Sequence, residues 1–173
     1  MIRLGWRALS SSGYRGRISE RFGGGAPDDR RCDLWIHAVS VGEVKAATPL
    51  VQRLLKEKKH LDIIITTMTP TGAQQVVDTF GSEVRHRFAP YDYPFAIRRF
   101  ITRFSPPLLI IMETEIWPNM IRICHQRGIA VAMANVRLSA RSARGYRFVL
   151  PLVRDGLNKV SLFAAQSEAD RKH

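Results

Sequence analysis

Trp35-Ile36-His37-Ala38-Val39-Ser40-Val41-Gly42-Glu43 is the stretch whose reading decides the fold. Its first half is an apolar run of large and β-branched residues, the mark of a buried strand. The run stops at Ser40 and a helical period takes over at once. Val44, Ala47, Val51, Leu54 and Leu55 fall on one face, with Arg53, Lys56 and Lys58 largely off it. The spacing predicts strand, turn, helix, and in an open α/β sheet such a turn lies at the carboxyl edge where ligands bind. Gly42 is expected to let the backbone turn tightly and a substrate come close. Glu43 has two readings. In one, Ser40 as N-cap and Glu43 form a capping box, each satisfying a free amide. In the other, Glu43 is a general base that takes a proton from an attacking hydroxyl. The positive end of its helix lowers a carboxylate's basicity, so the second reading calls for burial or a second carboxylate nearby.

The same alternation continues along the chain. Leu61 to Thr67 reads as a second strand, and Thr69-Pro70 starts a helix that runs through about Phe80. That helix start, with its hydroxyls and free amides, can cap the helix or hold an anion. Val84 to Ala89 is a third short strand. Pro90-Tyr91-Asp92-Tyr93-Pro94 turns into a helix over Phe95 to Phe104, which Ser105-Pro106-Pro107 breaks. Leu108 to Met112 is the most continuously apolar strand, hence expected at the centre of the sheet. It ends in Glu113-Thr114-Glu115-Ile116-Trp117-Pro118-Asn119, and the helix that follows stops at Gly128. Ile129 to Ala134 and Val160 to Ala165 complete the strands, with an Arg-rich loop from Asn135 to Arg144 opening a further helix. Strand and helix thus alternate through the chain, which predicts an α/β fold: a Rossmann-like parallel sheet with helices on both faces. The chain ends soon after its last strand, as a cut chain would.

In such a sheet every strand-to-helix turn opens on the same edge. That edge collects Ser40, Gly42 and Glu43, then Thr69 and Thr71, then Glu113 and Glu115, then Arg137, Ser139 and Arg141. One carboxylate acting as base among cations and amides suits a phosphorylated substrate. The first turn lacks G-x-G-x-x-G and no Walker loop is present, which argues against a dinucleotide or P-loop site. His37 in a strand and His125 in a helix read as packing or surface rather than ligands.

Composition bounds the partners. The 173 residues make one lobe with a sizeable core but not two. A net charge of +12 favours an anionic partner: nucleic acid, a phospholipid surface or a phosphorylated substrate. Cys32 and Cys124 fit no metal spacing and read as free thiols. No apolar run approaches the ~20 residues of a spanning helix. Residues 1–30, basic with interleaved aromatics and ending in a Gly-rich joint, are expected to form a linker or membrane-proximal segment outside the core. Residues 31–173 are expected to form the lobe.

Five ordered motifs carry a resemblance. They are Ser40-Val41-Gly42-Glu43, Thr66 to Gly72, Pro90-Tyr91-Asp92, Met112 to Asn119, and Asn135 to Ser142. Together they resemble the amino-terminal half of the bacterial 3-deoxy-D-manno-octulosonic acid (Kdo) transferases of lipid A biosynthesis. Arg15 to Gly23 is similar to that family's linker after its membrane anchor. The resemblance implies the amino-terminal lobe of a metal-independent, inverting GT-B glycosyltransferase without a cofactor. Such a lobe binds the lipid A precursor, while a carboxyl-terminal lobe, absent here, binds the donor CMP-Kdo. It implies Glu43 as general base and Glu113 as a transition-state stabiliser. Ser40, Gly42, Thr69, Glu115, Arg137, Ser139 and Arg141 would be acceptor contacts. Work at the cytoplasmic face of the inner membrane, an anionic membrane surface as partner rather than nucleic acid, and no transfer by this chain alone follow from the same resemblance. The rival class is a non-catalytic basic module that binds anionic lipid or RNA.

Overall fold

A computed structural model of the chain describes residues 17–25, 30–58, 60–112, 117–136 and 162–165. Six strands form one sheet in the order β3-β2-β1-β4-β5-β6. They are β1 (Leu34–His37), β2 (Ile63–Thr67), β3 (Arg85–Phe88), β4 (Leu108–Met112), β5 (Ala130–Val136) and β6 (Leu162–Ala165). Every neighbouring pair runs parallel. Among the described residues four helices lie between them: α1 (Val41–Glu57), α2 (Pro70–Phe80), α3 (Pro94–Phe104) and α4 (Pro118–Gln126).

The strand residues dictate the layering. β1 and β2 are buried along their whole length, as strands covered on both faces must be. On one face Leu34, Ile36, Ile63 and Ile65 meet Val44, Ala47 and Val51 of α1 and Val76 and Phe80 of α2. On the other, Trp35, Ile64, Leu109, Ile111 and Val131 meet Ile97, Phe100, Ile101 and Phe104 of α3 and Met120, Ile121 and Cys124 of α4. Both core clusters come from alternate residues of the same strands, the period of two that a pleated sheet imposes. β1 and β4 are the inner pair, as the apolar run of β4 predicts.

This order has one place where the chain reverses direction across the sheet. From β1 it winds through α1 and α2 towards β3; from β4 it winds through α4 towards β5 and β6. The helices that follow β1 and β4, α1 and α4, therefore lie on opposite faces of the sheet and leave a crevice at the carboxyl ends of those strands. Register fixes the pair at that point, with His37 beside Ile111. At the carboxyl end of β5 the ladder shifts register between Ala134 and Val136, and Asn135 takes the left-handed conformation at φ +58°. Such a bulge bends the strand where it meets the crevice edge.

Residues 17–25 correct one expectation. The sequence places them in a linker outside the core, yet Glu20 and Arg21 are buried. A short 3-10 helix, Ile18–Phe22, packs on β3 and α3. Glu20 accepts the Phe88 N–H at 2.8 Å and an Arg17 N–H at 2.8 Å. Arg21 lies over the Phe88 ring at 4.6 Å and donates to the Met68 carbonyl at 2.9 Å. The segment thus covers part of the outer edge of β3, where an unpaired ladder would otherwise be exposed. Charged residues hide this reason from a hydropathy reading: their burial is licensed by partners, not by apolarity.

Candidate active site

Glu43 sits in the first turn of α1 at the crevice, 4% exposed. Its Oε2 accepts the Val39 N–H at 2.7 Å and its Oε1 accepts the Ser40 hydroxyl at 3.1 Å. The reciprocal capping box is not formed. Ser40 occupies the N-cap position but makes no side-chain cap bond. Its proton goes to the carboxylate, a stronger acceptor than a neutral group, and Glu43 reaches past the N-cap residue to the amide before it. The carboxylate is thereby held in one orientation by its own turn. Gly42 also departs from expectation. It has no positive φ, and a Cβ there would meet only Ser40 Oγ at 3.8 Å. No tight turn needs this glycine; what it leaves is open space beside Glu43.

The neighbouring turn is stitched to this one by the Met68 N–H, which donates to the Val39 carbonyl at 3.0 Å. Thr69 Oγ1 accepts the Gly72 N–H at 3.0 Å and the Thr71 hydroxyl at 3.3 Å. It therefore serves as the cap of α2, the plainer of its two readings. Gly72 is held small by packing, since a Cβ would lie 3.0 Å from Thr69 Oγ1 and 3.2 Å from Thr67 Cβ.

The helix after β4 is capped in a way the sequence does not advertise. Trp117 stands at its N-cap and makes no cap bond, with Pro118 in the first turn. Asp92, from the turn after β3, accepts the N–H groups of Asn119 at 3.1 Å and Met120 at 2.8 Å. Asn119 Nδ2 donates back to the Asp92 carbonyl at 2.8 Å. Burial raises the Asp92 pKa, and the two amide bonds and Arg122 oppose that rise. Asp92 is a capping residue that local reasoning passes over, because its partners lie 27 and 28 residues away. The one hint is negative: a Trp-Pro helix start with no residue of its own able to cap.

His37, read from the sequence as packing, ends β1 fully buried. Its Nδ1 lies 3.0 Å from Thr66 Oγ1, which also accepts the Trp35 indole N–H at 2.8 Å. Its ring meets that of Trp117 edge to face at 4.7 Å. Burial drops its pKa to about 3, so it is neutral at physiological pH. His125 is exposed, as surface residues are. Burial pushes the thiols of Cys32 and Cys124 up to about 12. Both are buried and unpaired, hence inert as nucleophiles.

The structure thus brings Ser40, Gly42 and Glu43 together on one turn and sets Thr69 on the adjacent one. Glu113, Glu115, Arg137, Ser139 and Arg141 lie outside the described residues. Among the described residues no group of His, Cys, Asp and Glu is placed to hold a metal ion, and no helix is long and apolar enough to cross a membrane.

Residues 16–173 match the family model described as 3-deoxy-D-manno-octulosonic-acid transferase (kdotransferase). The chain belongs to that family. The chain is 45% identical to the 3-deoxy-D-manno-octulosonic acid transferase of Haemophilus influenzae over 98% of its own length and 40% of that protein. Its counterpart in Bordetella pertussis is 35% identical, over 87% of this chain and 36% of that protein. A protein of Arabidopsis thaliana named a probable mitochondrial 3-deoxy-D-manno-octulosonic acid transferase is 36% identical over 96% of this chain. The chain therefore spans less than half the length of these relatives. Its Rossmann-like sheet corresponds to one part of those proteins.

Proposed function

We propose that this chain is the acceptor-binding lobe of an inverting GT-B glycosyltransferase that transfers Kdo from CMP-Kdo to a lipid A precursor. Glu43 is the general base. It takes the proton of a sugar hydroxyl as that oxygen bonds to the anomeric carbon of Kdo. The bond from that carbon to the CMP phosphate breaks, CMP leaves with the electron pair, and configuration inverts. Glu113 stabilises the positive charge that develops on the sugar ring. No resident cofactor or metal takes part; CMP-Kdo is a substrate, held by a second lobe. The observation that carries this reading is the placement of Glu43. It is a carboxylate with little exposure, held by the Val39 amide and the Ser40 hydroxyl at the point where the strand order reverses.

The reading places the lobe on the anionic, cytoplasmic face of a bacterial inner membrane. Exposed Ile18, Phe22, Tyr93 and Phe95 support that location, as does the charge of +12, because aromatic and cationic side chains suit an anionic lipid interface.

The test uses a full-length transferase containing this lobe. Glu43→Gln is expected to abolish transfer while acceptor binding persists; unchanged transfer removes Glu43 as base. These 173 residues expressed by themselves are expected to give no transfer, because in this reading CMP-Kdo is held by a second lobe, and robust turnover by them would refute the reading. One feature favours the non-catalytic alternative. A shallow depression of about 560 Å³ is lined by Arg31, Arg98, Arg99 and Arg103, with Thr102 and Ser105. Tighter binding of RNA than of phosphorylated lipid would favour that alternative.

A further inference from the structure

Two buried ring nitrogens at the crevice have no hydrogen-bond partner. His37 Nε2 and Trp117 Nε1 are both shielded from solvent and neither has a partner. Orphaned groups of this kind are rare in folded proteins and costly to keep. They are also neighbours, because the rings that carry them pack edge to face.

Indole N–H only donates. What His37 Nε2 offers depends on the single proton of the Thr66 hydroxyl, which can go to His37 Nδ1 at 3.0 Å or to the Ile36 carbonyl at 3.4 Å. On Nδ1, the shorter contact, it leaves the ring proton on Nε2; on Ile36, it leaves Nδ1 to donate to Thr66. Thr66 belongs to β2, on one side of β1. With Nδ1 turned that way, Nε2 faces the other side, where β4 pairs and Trp117 stands before α4. That side is the reversal point of the sheet.

We propose that His37 carries its ring proton on Nε2 and, with Trp117 Nε1, forms a two-donor subsite for an uncharged hydroxyl oxygen of the sugar acceptor. The proposal rests on the acceptor-lobe reading above and names two residues of its binding site. A hydroxyl fits better than a phosphate for an electrostatic reason. Both donors are neutral, and two neutral N–H groups in a buried place do not offset the desolvation of an anion. The histidine's resistance to protonation keeps them so. A hydroxyl oxygen can accept both bonds and still give up its own proton.

The chain has three tryptophans, and the Trp35 indole N–H, already bonded to Thr66, is an internal reference. The experiment follows the indole N–H signals of 15N-labelled chain by NMR during titration with an unphosphorylated glucosamine disaccharide, and separately with inorganic phosphate. The expected result is a downfield shift of the Trp117 signal with the disaccharide, none with phosphate, and a still Trp35 signal. Trp117→Phe keeps an aromatic side chain but removes the N–H together with part of the indole. It should weaken disaccharide binding at least about fivefold, the effect of one neutral hydrogen bond, while any fall in Tm reports the lost ring volume. Three results overturn the proposal. One is disaccharide binding that leaves the Trp117 signal in place. Another is an equal response to phosphate. The last is a Trp117→Phe variant with raised Tm and unchanged affinity, which marks the orphan as structural. If the wild-type chain binds no disaccharide at all, the acceptor-lobe reading fails along with the subsite.

Discussion

The first turns of α1 and α4 are built by opposite means. In the first, Glu43 accepts the Val39 N–H at 2.7 Å and the Ser40 hydroxyl at 3.1 Å, all within five residues of chain. The second depends on an outsider: α4 has no side-chain cap of its own, and Asp92 supplies one from the turn after β3. A turn bonded mainly by its neighbours in sequence keeps its shape under perturbation elsewhere. A turn held from outside moves with whatever moves its holder. The catalytic carboxylate proposed above sits on the first kind.

Acid is the strongest way to probe the junction of the two turns. His37 ends β1 and touches Trp117, while His86 underlies the 3-10 helix. Burial takes both pKa values down from 6.5 to about 3, with Arg17, Arg87 and Arg21 adding to the effect at His86. The folded pKa lies below the unfolded one, so the unfolded chain binds more protons between those values. Stability is fully present above about pH 6.5 and is lost as pH falls towards 3. The loss is expected to be on the order of several kcal/mol. Urea midpoints across that range measure it, and both imidazoles should keep their neutral NMR signature as the pH passes below 6.5. Titration of His37 with its ordinary pKa would show that the junction opens.

Asp92→Ala comes next. It strands two amides at the start of α4, an expected cost of about 2–3 kcal/mol, and Asp92→Asn should recover part of it. The comparison predicts where the damage falls. Hydrogen exchange should speed up at Asn119 and Met120 while the Val39 amide stays protected. Equal acceleration at Val39 would mean that the turns are not independent.

Thr69→Ala removes an ordinary cap from α2 and should cost about 1 kcal/mol, a fall in Tm of about 2–4 °C. Ser40→Ala should cost less, because Ser40 caps nothing and only steadies Glu43. In a full-length transferase its effect should appear instead as a lowered kcat. If the two alanine variants prove equally destabilising, the hydroxyl of Ser40 does cap α1 in solution, and the account of Glu43's orientation breaks.

How far these features could be read in advance follows the same division. β4 was legible because Leu108 to Met112 is apolar throughout, as a strand between two helical layers has to be. α2 was legible because Thr69-Pro70 is a complete local start signal. The Glu43 turn was legible in place but not in wiring, since Ser40 and Glu43 fit a capping box equally well on spacing alone. Glu20 and Arg21 were misplaced outside the core because charge masks burial when the partners are an edge-strand amide, a carbonyl and an aromatic face.

By itself the sequence determined the alternation of strands and helices, the central place of β4, the adjacent placement of the Ser40 and Thr69 turns, and the family. Each follows from periodicity, cap chemistry or ordered motifs, all carried by residues close together in the chain. Tertiary structure alone decided that Asp92 caps α4, that Arg17 to Phe22 covers β3, and that His37 and Trp117 share a corner with no acceptor. Those outcomes depend on which distant groups packing brings within hydrogen-bond reach. The strand order sets those distances; no local pattern in the chain does.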